Sequence, residues 1–170
     1  MQAYLEVTAT LEVPVTYTAE VKMATTDVTR AETASTGRLI VQGAVAGLAG
    51  GVVFGVMMGM MGMLPMVGSL VGMPNAIVGT IVHLAISAFI GAVYALVIAR
   101  FPNTPSVALV GGVVNGFAWW ILGALLLMPL LLGMSDMVFA IGQPQWMSLL
   151  GHLIYGVITA LVLMGLRRRD

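Results

Sequence analysis

The sequence predicts an all-α integral membrane protein: a four-transmembrane-helix bundle built from two duplicated helical hairpins, preceded by a short strand-like or disordered N-terminal tail. Three observations predict it. Charge is scarce and confined: 8% of residues are charged, mean hydropathy is +1.03, and between Leu39 and Leu166 only Arg100 and Asp136 carry a formal charge, where a soluble domain carries about 25%. Four apolar segments, near 39–63, 76–99, 107–131 and 147–166, each reach the roughly 20 helical residues that cross a bilayer core. The separators hold helix breakers: Pro65 and Pro74, then Phe101-Pro102-Asn103-Thr104-Pro105, then a stretch from Ser135 to Gln145 with Gly142 and Pro144. Helices are required because backbone groups in lipid must be satisfied within each segment.

Residues 1–38 differ from residues 39–170, the transmembrane domain. From Leu5 to Met23 every odd position is apolar or alanine, whereas Glu6, Thr8, Thr10, Glu12, Thr16, Thr18, Glu20 and Lys22 alternate with them. That is the period of a strand with one buried face, and Pro14 suggests an edge or a break. Since one strand cannot bury a face alone, residues 5–23 read as a segment that docks onto the sheet of another protein; the alternative is a disordered Thr/Glu-rich tail. The N-terminus lacks the basic-then-apolar pattern of a cleaved signal peptide, so the first span is expected to direct its own insertion.

Span one carries Gly43, Gly47, Gly51, Gly55 and Gly59 at a constant spacing of four. Overlapping G-x-x-x-G steps allow two helix backbones to approach closely where lipid offers no hydrophobic drive to association. Gly112 and Gly116 repeat the device in span three, beside Asn115. Its partner helix is not visible in the sequence. Span three ends near Pro129, and Trp119 and Trp120 fall mid-span, which predicts that at least one packs inward; Trp146, opening span four, suits an interfacial belt.

The only two histidines, His83 and His152, lie inside spans two and four. Gly79, Thr80, His83, Ser87, Gly91 and Tyr94 form one small and polar stripe, and Ser148, His152, Tyr155, Gly156 and Thr159 form another, since residues three and four apart share a helix face. A shift of 69 positions aligns Gly43 with Gly112, Gly47 with Gly116 and His83 with His152. That predicts a parallel repeat about an axis along the membrane normal, with the two rings facing each other across it. Such a pair suits the axial ligands of a b-type haem or another tetrapyrrole, and desolvation favours the neutral, ligating imidazole. The structural alternative is hydrogen bonding between helices, to Thr80, Ser87, Tyr155 or Thr159.

Methionines crowd one end: Met57, Met58, Met60, Met61, Met63, Met66 and Met73, with Met128, Met134, Met137 and Met147 at the matching end of the second hairpin. Thioethers are soft ligands for Cu(I), and Met57 and Met61 resemble the M-x-x-x-M step of Ctr-type copper transporters. The competing explanation is flexible packing. With no cysteine, disulfides and thiolate sites are excluded. Zero net charge without a long basic run argues against nucleic acid. No serine–histidine–acid constellation is visible, so the chain is not expected to be an enzyme.

The segment His152-Leu-Ile-Tyr-Gly156, His-x-x-Tyr-Gly, resembles one found in small four-helix membrane proteins of bacteria and archaea; the resemblance implies a fold and no activity. The layout, though not the sequence, also resembles a reduced membrane cytochrome b. Arg38, Arg100 and Arg167 to Arg169 flank one end of the spans, and the connections between spans one and two and between three and four lack Lys and Arg. By the positive-inside rule both termini are cytoplasmic in the cell (inner) membrane. The function expected is a non-catalytic subunit of a respiratory or photosynthetic membrane assembly, contacting lipid and other subunits and holding a haem between His83 and His152. The alternatives are a purely structural packing subunit without cofactor and a conduit for Cu(I) or a small solute.

Overall fold

The computed structural model describes the backbone from Val15 to Arg169. Its helices are α1 (Val15–Met60), α2 (Leu64–Gly68), α3 (Ala76–Ile98), α4 (Pro105–Trp119), a π-helical segment (Trp120–Leu127), α5 (Met128–Leu131) and α6 (Gln143–Arg167). Among the described residues, four stretches are long and apolar enough to cross a membrane: Ser35–Met60, Ala76–Ile98, Pro105–Leu131 and Gln143–Arg167. The chain is a multi-pass, all-α membrane bundle. The described residues from 37 onward form one compact unit, and those from 15 to 36 belong to another.

Of the alternating stretch expected to act as a strand, residues 5–14 lie outside the described residues, and Val15–Met23 is helical. The correction has a simple cause. A lone strand leaves its backbone donors and acceptors without partners, whereas a helix satisfies them within the segment. No strand occurs among the described residues.

The helix ends follow from local chemistry. Asn75 accepts the Val78 amide and Thr104 accepts the Val107 amide, capping α3 and α4. Pro105 and Pro144 occupy first-turn positions, where no N–H is needed. At the far end of α1, Gly62 takes φ +68°, and the Met63 and Gly62 amides bond back to the Met58 and Gly59 carbonyls. That left-handed closure favours glycine, and Gly133 ends α5 in the same way.

Between the first two spans the chain makes a short helix, α2, that folds back on α3: a Cβ at Gly79 would collide with the Leu64 carbonyl, and one at Gly68 with the Met73 carbonyl. The sequence marked this stretch only as a connection with two prolines. In the third span, Leu125 would receive the amide of residue 129, but Pro129 has none. The Phe139 amide reaches back to the Leu125 carbonyl instead, at 3.1 Å. The helix upstream is widened into π turns, with the Met128 amide on the Gly123 carbonyl.

Glycines set the packing. Gly91 of α3 lies against Gly43 and Gly47 of α1, and Gly156 of α6 lies against Gly112 and Gly116 of α4. Ala95 meets Gly43 as Ala160 meets Gly112. The helices α3 and α6 also touch, through the Tyr155 hydroxyl, which donates to the Ser87 carbonyl at 2.7 Å. The helix α1 reaches α6 as well, with Gly50 against Tyr155 and Thr159, while Gly111 of α4 meets Tyr94 and Ile98 of α3. A cluster of Ala46, Tyr94, Ala95, Ile98, Ala108, Ala160 and Leu163 fills the arginine-rich end; Phe54, Met58, Leu64, Val67, Ile90 and Tyr155 fill the other half.

These contacts correct the expected register. The first helices correspond at an offset of 69, Gly43 with Gly112, but the second helices correspond at 65, Gly91 with Gly156. The difference is about one helical turn, taken up in the longer connection that contains α2. His83 therefore corresponds to Ser148 and His152 to Ser87, so the two histidines do not occupy equivalent positions.

Candidate functional site

The histidine region is built where α1, α3 and α6 meet. On α3, His83 is 7% exposed, and its Nε2 donates to the Gly51 carbonyl of α1 at 2.9 Å. One turn on, Ser87 donates to the His83 carbonyl at 2.8 Å. On α6, His152 Nδ1 lies 2.8 Å from the Ser148 carbonyl and 3.3 Å from the Ser148 hydroxyl. A carbonyl can only accept, so the proton of each neutral ring sits on the nitrogen that faces it. That is Nε2 in His83 and Nδ1 in His152.

The sequence placed these two rings face to face; in the structure both pack against one ring, Phe54 of α1. The Phe54 ring meets His83 edge-on, with centroids 5.4 Å apart and planes at 82°, and meets His152 at 4.8 Å and 64°. It fits there because Gly151 has no side chain; a Cβ at that position would overlap the Phe54 ring. Gly55 makes the same allowance for the His83 ring.

Axial ligation of a tetrapyrrole needs an unprotonated nitrogen from each ring aimed at one metal; with Nε2 of His83 on the Gly51 carbonyl and Nδ1 of His152 on the Ser148 carbonyl, the nitrogens left for it are Nδ1 of His83 and Nε2 of His152. A flat macrocycle bound by both would also meet the Phe54 ring, which packs against each imidazole. Phe54, His83 and His152 together form a His–Phe–His packing triad.

The predicted packing glycines all find their neighbours within the chain. Gly43, Gly47 and Gly51 lie against α3 at Gly91, Ala95 and Ser87; Gly55 lies against His83; and Gly59 meets Leu64. Gly112 and Gly116 lie against Gly156, Ala160 and the His152 carbonyl. Met57 packs on the cluster around Phe54 and Met58, whereas Met61 begins the exposed turn after α1. Trp120 is buried, donates from its indole nitrogen to the Gln145 carbonyl at 3.0 Å and stacks on the exposed Trp146. Trp119 packs edge-on against Phe89.

Sequence reasoning missed Phe54. The available signal was that it is the only aromatic residue in the glycine-rich first span, and that a glycine, Gly151, directly precedes His152. Comparison with protein-family models, with curated proteins and with solved structures yields no match to the chain.

Proposed function

We propose that this chain is a non-catalytic membrane subunit whose four spans form a self-packed scaffold, without a cofactor, for a larger membrane assembly. One observation carries the reading: the groups that looked most like ligands already have partners in the bundle, with His83 on the Gly51 carbonyl, His152 on Ser148 and Phe54 packed against both rings. The interhelical bond from His83 to Gly51 is of a kind that contributes about 0.6 kcal/mol on average and up to about 2, enough to retain that histidine in the bundle, while the His152 bond to Ser148 lies within α6.

The two hairpins are read as copies of one ancestral unit. The recurrence of Gly43, Gly47, Gly91 and Ala95 as Gly112, Gly116, Gly156 and Ala160 supports this. The placement of Arg38, Arg100 and Arg167 to Arg169 supports cytoplasmic termini in the cell membrane.

The test is a visible spectrum of protein purified in mild detergent, oxidised and then dithionite-reduced, together with identification of the proteins that co-purify. The scaffold reading expects no haem bands and a constant set of membrane subunits. Sharp reduced bands that vanish in His83→Ala or His152→Ala would restore the haem reading. Copper uptake into proteoliposomes that is lost in Met57→Leu would instead favour a conduit.

A further inference from the structure

The arginine-rich end holds a cleft that the packing of the bundle does not use. It is small, with room for about one water-sized atom, opens to the surface, and lies between α3, α4, α6 and the connection 101–104. Four of its lining residues are polar: Tyr94, Asn103, Thr104 and Arg167. Tyr94 is 5% exposed, yet its hydroxyl has no hydrogen-bond partner. A buried hydroxyl without a partner costs free energy unless something else occupies that position. Arg167 is half-buried and spends one N–H on the Ile98 carbonyl, at a long 3.5 Å; a guanidinium has five. Thr104 caps α4, so the first amides of that helix also point toward this end.

We propose that this cleft binds the phosphate of an anionic phospholipid. The reasons are chemical and positional. Arg167 offers a planar fork of donors suited to phosphate oxygens, the Tyr94 residue that shares the lining keeps an unused hydroxyl donor, and Arg100, Arg168 and Arg169 add exposed positive charge at the same end of the bundle. Asp136, the one acid within the spanning region, lies in the connection at the opposite end of the bundle. Basic pockets between membrane helices at the surface select anionic headgroups in this way. The cleft is narrow, so one phosphate oxygen enters while the glycerol and acyl chains remain in the leaflet beside α3 and α4.

Native mass spectrometry of the full chain in detergent tests this, with phosphatidylglycerol, phosphatidylcholine and inorganic phosphate as probes. Phosphatidylglycerol should be retained at least tenfold over phosphatidylcholine. Retention should fall about tenfold in Arg167→Gln and measurably in Tyr94→Phe, as expected for losing a bond to a charged group, while Arg167→Lys keeps part of it. Tyr94→Phe keeps the ring and so leaves the fold intact if Arg167→Gln does not. Equal retention of the two lipids, or phosphatidylglycerol retention unchanged in Tyr94→Phe and Arg167→Gln, would overturn the proposal. Inorganic phosphate binding as well as the lipid, with the same dependence on Arg167, would overturn the lipid as its ligand.

Discussion

At the residue scale, the bundle is governed by where a methyl group can and cannot be added. Gly47, Gly91, Gly116 and Gly156 sit with a neighbouring backbone in the position of their missing Cβ, whereas Gly165 has open space around it. Gly47→Ala or Gly156→Ala should therefore destabilise by about 1–3 kcal/mol through forced separation of the helices. Gly165→Ala should be neutral or stabilise by up to about 1 kcal/mol. Thermal unfolding in detergent would separate the two classes; equal effects at all positions would refute the packing account. Phe139 offers the converse case. Its φ of +55° is a left-handed backbone for a residue 54% exposed, so Phe139→Gly should gain about 1 kcal/mol by relieving that conformation. A melting temperature lower than that of the parent would show that the ring carries a contact worth more than the strain.

The elements were legible to different depths. Charge and hydropathy located all four spans, because the cost of a charge or an unpaired backbone group in lipid is written into composition. Helix ends at Asn75, Thr104 and Gly62 were readable in principle from local chemistry. Two features depend on groups distant in sequence. The π-helical turns before Pro129 need the Phe139 amide to return to the Leu125 carbonyl, and the His–Phe–His triad needs α1 to insert Phe54 between α3 and α6. A single rigid offset aligned the histidines because it could not register the extra turn taken up by α2. Restoring an amide at position 129 tests the π segment. In Pro129→Ala, the Leu125 carbonyl gains a local donor, so the Phe139 amide should lose protection and exchange hydrogen about tenfold faster or more. Unchanged exchange at Phe139 would mean that the wide turns have another cause.

For the whole molecule, the lipid cleft and the scaffold role both depend on which end faces which side of the membrane. The sequence contains no cysteine, so any one introduced reports alone. Asp136 lies exposed in the connection between α5 and α6, Phe101 in the connection between α3 and α4, and Arg169 just beyond α6. The arginines cluster with the last two, and excess Lys and Arg on a loop holds it on the cytoplasmic side during insertion. In intact cells, a membrane-impermeant maleimide should label Asp136→Cys, and should label Phe101→Cys and Arg169→Cys only after permeabilisation. The reverse pattern would invert the orientation and move the phosphate cleft to the outer leaflet. Labelling of Phe101→Cys and Arg169→Cys from opposite sides would break the even number of crossings and with it the two-hairpin architecture.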